Sequence, residues 1–386
     1  MITTKNADNA LKTFYLDAVS KAIDTRTNPF LAQIERTSVG VSGKEVRKLV
    51  RYGLNGAVGV GTETGNLPTA RGNQYLQYVS TLKNIYGTIE ISDKALRVSQ
   101  SNEGALVNLL NEEMEGLVDS AKYQFGRMLY GNGNGMLAEV NDQAKDGVYV
   151  TDTAALMEGM AVKIVVGGVD AWVSEDMLIT KVEREQKKVY FDAELDFESV
   201  PAGATIVAAG EGEEITGLKK LFDSEELYGI KKEEYPFLQP YDHEYDEDFS
   251  EELLAKAIDG IEERSGGQVN IILCSWGMRK TIEFYFKEMG TPLATIDLGN
   301  GFKALEYRGV PIVADRFCQS GTIYLLNTND FKLCQLCDWE WMESEDGAIL
   351  RQVPGKPVFT ATLVKYADLS CERPHGPGRL SGIYER

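Results

Sequence analysis

Between Gly53 and Gly72 the chain runs through six glycines and one proline with few large apolar side chains, so this stretch has nothing from which to build a core. The residues before it, Lys44 to Tyr52, alternate in strand fashion. Those after it, Gln74 to Ser92, are rich in Tyr, Val, Ile and Thr, again in alternation. The pattern predicts an extended two-stranded arm with a pliant tip. An isolated two-stranded hairpin is marginal in water, so Arg51 to Ser92 is expected to find its packing partner outside itself, on another copy of the same chain.

The rest of the 386 residues divides into recognisable units. Residues 7 to 24 place Leu11, Phe14, Tyr15, Ala18, Val19, Ala22 and Ile23 on one helical face, and Asn28-Pro29 ends that helix. From about Ser101 to Tyr130, Leu106, Leu110, Met114, Leu117, Ala121, Phe125 and Met128 recur at steps of three or four, with Ser101 as N-cap and Gly131 as stop. A helix of that span would be roughly 45 Å long, a structural spine. Short strands separated by Gly-Gly, Glu-Gln and Pro-Ala-Gly turns fill 147 to 214, predicting a small β-barrel or sandwich. The acidic run Asp242 to Glu252 reads as a linker into a helix carrying Leu253, Leu254, Ala257, Ile258 and Ile261. Val269 to Cys274 follows as a buried strand, and Ser275 caps a second helix with Met278, Ile282, Tyr285 and Met289. From Phe302 onward the pattern is mostly strands and turns.

Charge narrows the possible partners. There are 40 basic and 59 acidic residues, a net of −19. Affinity for nucleic acid comes largely from lysine and arginine displacing counterions, so this chain is a poor general binder of phosphate backbones. The acidity is compatible with enclosing DNA and argues against gripping it. No apolar run is long enough for a bilayer, and Met1 to Ala10 is too polar for a signal peptide, so the protein is expected to stay in the cytosol where it is made. The five cysteines are an odd set, expected as reduced thiols.

Candidate chemistry is thin. Gly59-Val60-Gly61-Thr62-Glu63-Thr64-Gly65 misses the dinucleotide-binding spacing by one residue and opens no helix, so loop flexibility accounts for its glycines. Cys334 and Cys337 with Cys371 and His375 could formally supply four zinc ligands, but Leu333 to Asp338 reads as a strand, where residues three apart face opposite sides. The two histidines, His243 and His375, sit beside no nucleophile motif, and the pairs Glu112-Glu113, Glu213-Glu214 and Glu262-Glu263 read as solvated faces. No catalytic residue, metal or cofactor is expected.

The order of arm, glycine-tipped hairpin, very long helix, α/β lobe and closing strands resembles the Hong-Kong-97-type α+β fold of tailed double-stranded-DNA bacteriophage major capsid proteins. Local strings carry the similarity: Tyr130-Gly131-Asn132-Gly133, Ile215-Thr216-Gly217-Leu218, Tyr324-Leu325-Leu326-Asn327, and Tyr307 to Arg316 with its Gly309-Val310-Pro311-Ile312 centre. The resemblance implies an N-terminal arm (1–42), an E-loop (43–98) laid over a neighbouring subunit, and a spine helix with part of a peripheral domain (99–146). It implies further peripheral segments at 215–249 and 340–386, an axial domain at 250–339 meeting its copies at hexamer and pentamer centres, and 147–214 as an inserted β domain. Within the E-loop, Arg51, Tyr52, Leu54, Asn55, Val58, Glu63, Leu67, Arg71, Tyr75 and Tyr78 are the expected intersubunit contacts.

The resemblance also implies an icosahedral virion shell built in the bacterial host cytoplasm. Its expected partners are further copies of the chain, a separate scaffolding protein, a portal, decoration proteins, and packaged DNA held without sequence specificity; no membrane is involved. The type member of the fold joins an E-loop lysine to an asparagine near a neighbour's C-terminus, but residues 340 to 386 contain no asparagine, so no such cross-link is expected here. Two other readings remain: an encapsulin-type bacterial compartment, and an enzyme with an accessory β domain.

Overall fold

The computed structural model describes residues 28–94, 103–167, 172–193, 195–210, 212–298, 303–343, 347 and 349–385. The expected helix over 7–24 and the Ser101 cap lie outside these residues. The spine is present as helix α1, Glu103–Met128, whose 26 residues span about 39 Å.

Glu45–Tyr52 and Gln74–Thr81 form an antiparallel hairpin in continuous register, from Glu45 opposite Thr81 to Tyr52 opposite Gln74. Strand alternation gives it two faces. Val46, Lys48, Val50 and Tyr52 turn toward the body of the subunit, whereas Arg47, Leu49 and Arg51 turn to solvent. The arm is shorter than the sequence pattern suggests. At Leu82, buried and donating its N–H to the Lys44 carbonyl at 2.9 Å, the chain leaves the hairpin. Lys83–Ser92 then pairs antiparallel over ten residues with Val358–Cys371 of the same chain. The expectation that everything from Arg51 to Ser92 packs on another copy is therefore corrected. The segment without an interior is 53–73, and the 43–98 boundary overstates the free loop.

Val358–Cys371 also pairs with Phe331–Trp341, which carries Glu35–Thr37 in parallel on its far side. Helix α1 lies across this five-stranded sheet through Met114, Val118 and Phe125, with Phe125 edge-on to Trp339 at 6.1 Å. Gly87 permits the close approach: a Cβ there would lie 2.9 Å from Leu117 Cδ1. Lys365, also buried, is held by Asp338 at 2.5 Å and Gln335 at 3.0 Å between the Phe125 and Trp339 rings.

The β domain is a closed barrel. Met177–Glu183 pairs with Lys188–Phe191, and the circuit continues through Gly147–Val150, Met136–Ala144, Thr205–Ala208 and Ala161–Val166 back to Met177–Glu183. Register shifts at Val140/Asp142 and Ile179/Lys181 turn its corners, as bulges do. Val148, Val162, Ile164, Ile179, Val189 and Ile206 fill its interior. The barrel begins at Met136 rather than at 147, because the first strand after α1 already belongs to it. Arg127 of α1 and Glu214, just beyond the last barrel strand, form a buried two-bond ion pair, with Arg127 Nη1 3.0 Å from Glu214 Oε2.

The α/β lobe is a seven-stranded mixed sheet ordered Tyr241–Asp248, Gly378–Tyr384, Ile323–Leu326, Ile271–Cys274, Val310–Ala314, Lys303–Tyr307, Ala294–Asp297. After the short α2 (Leu218–Asp223) come α3 (Glu251–Ser265) and α4 (Trp276–Glu288), which bury Leu254, Ala257, Ile261, Met278, Ile282 and Phe286. Ser275 caps α4, accepting from the Met278 N–H at 2.9 Å. Gly266, at φ +62°, ends α3 and returns its N–H to the Glu262 carbonyl.

Three further boundaries are corrected. The acidic linker is a strand, Tyr241–Asp248, paired parallel with Gly378–Tyr384. Those last residues belong to the seven-stranded sheet rather than to the sheet of Val358–Cys371, and the latter claims the chain from Phe331, before residue 339. An edge strand needs only backbone pairing and one packed face, so its charged side chains do not prevent it.

Candidate intersubunit surface

The root of the hairpin is fastened to its own subunit. Ser80 Oγ donates to the buried Asp368 carboxylate, which also accepts from the Thr216 N–H at 2.6 Å, joining hairpin, five-stranded sheet and barrel exit. Burial pushes the Asp368 carboxyl up from its ordinary range, and those hydrogen bonds oppose the shift. Tyr228, held at φ +52°, accepts from the Val79 N–H through its carbonyl and donates its hydroxyl to the Leu369 carbonyl at 3.0 Å. Lys48 reaches Glu372 at 3.1 Å.

Beyond Tyr52 these ties stop. Leu54, Val58, Val60 and Leu67 are 99%, 90%, 105% and 90% exposed. The tip touches mainly itself: Asn55 Nδ2 donates to Asn73 Oδ1 at 3.0 Å, Asn55 Oδ1 accepts from the Ala57 N–H, and the Gly65 N–H donates to the Thr62 carbonyl. Burying an aliphatic side chain of this size is worth about 1.5–3 kcal/mol, so covering four of them releases roughly 6–12 kcal/mol before association entropy is charged. Residues 46–80 also hold four basic side chains, Arg47, Lys48, Arg51 and Arg71, against Glu63 alone, a basic enclave on a chain of net charge −19. A loop of this kind is suited to an apolar contact with an acidic surround.

Of the ten expected contact residues, Arg51, Leu54, Asn55, Val58, Glu63, Leu67, Arg71 and Tyr75 are exposed. Two differ. Tyr52 is half-buried, stacked on Phe237 at 4.9 Å with 10° between the rings. Tyr78 is 3% exposed, 5.7 Å from the Tyr228 ring, and its hydroxyl titration is pushed up by burial; it serves its own subunit. Tyr78 sits on the inward face with Leu76 and Ser80, while Tyr75, Gln77, Val79 and Thr81 form the outward face; both faces mix apolar and polar residues, so periodicity alone does not say which one turns in. Asp368, Thr216 and Tyr228 had no local signal, since each acts on residues more than a hundred positions away in sequence.

Among the described residues no three His, Cys, Asp or Glu side chains gather to hold a metal. Cys334 and Cys371 are buried and their thiols are pushed up chiefly by desolvation, so they are protonated apolar groups rather than thiolate ligands. His243 lies on the acidic edge strand, its ring 4.5 Å from that of Tyr241 and tilted 59° to it.

No family model and no curated protein sequence matches the chain. Solved structures do. A chain of the cyanophage A-1(L) capsid asymmetric unit superposes with a TM-score of 0.56 at 11% identity, over 92% of this chain and 93% of that one. The chain has the fold of a phage capsid subunit. A chain from the capsid of a native GTA particle agrees, with a TM-score of 0.51, 12% identity and coverage of 93% and 91%. With more than nine-tenths of each chain covered, the likeness is of nearly the whole chain rather than of one lobe.

Proposed function

We propose that this chain is the major shell subunit of a tailed-phage head, assembling as hexamers and pentamers into an icosahedral virion capsid around double-stranded DNA. The observation that carries the reading is the tip at 53–73, with four aliphatic side chains in full contact with water on a loop that has no interior, in a chain with a capsid fold. Such a surface is a liability in a monomer and an asset in a lattice. Each subunit lends its tip to a neighbour, so stability accumulates over the shell.

The other parts take roles consistent with this. The peripheral sheet and α1 form the wall, the seven-stranded lobe points toward the capsomer axes, and the barrel at 136–208 is an addition to the minimal fold, facing outward or bridging subunits. The net charge of −19 suits a wall past which packed DNA slides. A scaffolding protein, portal and decoration proteins are the partners this role calls for, with assembly in the host cytoplasm. It requires no catalytic chemistry.

Electron microscopy of the purified or co-expressed protein tests the reading, since closed shells, small cargo-filled compartments and discrete oligomers are distinct in images. The combined variant Leu54→Ser, Val58→Ser, Leu67→Ser is expected to keep the wild-type unfolding midpoint and to lose shell formation. A chain that stays monomeric at high concentration with its phage partners present would rule the proposal out.

A further inference from the structure

Four Asn-Gly steps occur in the sequence, at 55–56, 132–133, 134–135 and 300–301, the last outside the described residues. Glycine after asparagine lets the side-chain amide and the next backbone nitrogen meet, because no Cβ holds them apart. In all three described steps the asparagine oxygen bends over the peptide that follows. Asn55 Oδ1 accepts from the Ala57 N–H at 2.9 Å, Asn132 Oδ1 from the Asn134 N–H at 3.2 Å, and Asn134 Oδ1 from the Met136 N–H at 3.0 Å. A donor on that oxygen stabilises the negative charge it gains when the carbon beside it is attacked.

The glycines separate the three steps. Gly133 and Gly135 are buried at φ +83° and +76°, and their carbonyls accept from the Glu214 and Ala208 N–H groups, each at 2.9 Å. Held in this way, their nitrogens reach the neighbouring side chain only when the turn between α1 and the barrel opens. Gly56 is the opposite case: it is exposed, sits outside the left-handed region, and makes no backbone hydrogen bond among the described residues. Arg71 lies against it, since a Cβ on Gly56 would stand 3.3 Å from Arg71 Cδ and 3.7 Å from Nη1. A cation so placed favours the deprotonated nitrogen that must attack and the carboxylate that results.

We propose that Asn55-Gly56, in the loop tip, is a site of spontaneous deamidation in the free subunit. The Gly56 nitrogen loses its proton to hydroxide and bonds to Asn55 Cγ; the Cγ–Nδ2 bond breaks, and ammonia leaves behind a five-membered imide. Water opens the ring at either carbonyl, giving an aspartyl or isoaspartyl residue at position 55, and nothing is oxidised or reduced. The product lacks the Nδ2 donor that closes the loop's neck on Asn73 Oδ1 at 3.0 Å. It also sets a carboxylate beside Arg71, where residues 46–80 hold four basic side chains against Glu63 alone. The chemistry does not depend on shell formation.

The test is to incubate purified, unassembled full-length chain at mildly alkaline pH, digest it under mildly acidic conditions, and follow the gain of about 1 Da at each asparagine by mass spectrometry. In the native chain, position 55 is expected to convert about tenfold or more faster than 132 and 134, a barrier difference of about 1.4 kcal/mol or more. In denaturant the three rates should converge to within about twofold, because the folded turn no longer protects 132 and 134. Gly56→Ala should slow conversion at 55 by about tenfold or more, and hydroxylamine should cleave the wild-type chain after position 55 by trapping the imide. Equal native rates at the three positions, no gain at 55, or a gain unchanged by Gly56→Ala overturns the proposal, whatever microscopy shows about shells.

Discussion

Asp315 sits at the joint between the end of α1 and the seven-stranded sheet, and its carboxyl should set a measurable pH dependence of stability. It is fully buried, accepts from the Tyr130 hydroxyl at 2.9 Å and from the Phe317 N–H at 3.0 Å, and its own N–H donates to the Cys274 carbonyl. Burial raises it from 3.8 to about 6, outweighing the two hydrogen bonds and the nearby Arg316 charge. At about 1.4 kcal/mol per pH unit, that rise corresponds to about 3 kcal/mol. Because the folded state favours the neutral acid, the stability tied to this group is fully present below about pH 4 and is lost as pH rises through about 6. Asp315→Asn keeps an acceptor for Phe317 and removes the ionisation. Denaturant unfolding of unassembled subunits should therefore find the variant more stable than the wild type by up to about 3 kcal/mol at pH 7.5, and a gap near zero at pH 4. A variant destabilised equally at both pH values, or one whose stability varies with pH as the wild type's does, would refute the reasoning.

Other consequences are open to direct test. Glu214→Ala strands the buried Arg127 guanidinium between spine and barrel and should cost about 3–5 kcal/mol in denaturant unfolding, whereas the apolar double replacement Arg127→Met with Glu214→Leu should recover most of that loss. Denaturing gels of mature particles should show single-chain bands, since no asparagine lies in 340–386 to accept an E-loop lysine; a ladder of multimers would contradict this.

The residues themselves fixed whatever depends on neighbours in sequence. The 3.6-residue recurrence from Met114 to Met128 determines α1, Ser275 and Gly266 determine where α4 starts and α3 stops, and the glycines between 53 and 72 determine a tip without a core. Each is a local balance of periodicity, capping or backbone freedom, so each can be read without knowing the partner. The capsid-like order of these parts was legible for the same reason.

Tertiary structure alone decided where strands went. Alternation in Lys83–Ser92 looks the same whether it continues the hairpin or joins Val358–Cys371, and the choice was made by a partner more than 250 residues away. Met136–Ala144 entered the barrel, Tyr241–Asp248 became a parallel edge strand, and Tyr78 turned inward on Tyr228, all through pairings that no local pattern encodes. A strand's hydrogen bonds are satisfied by another strand rather than by itself, so sequence specifies that a segment is extended while the assembled core specifies what it lies beside.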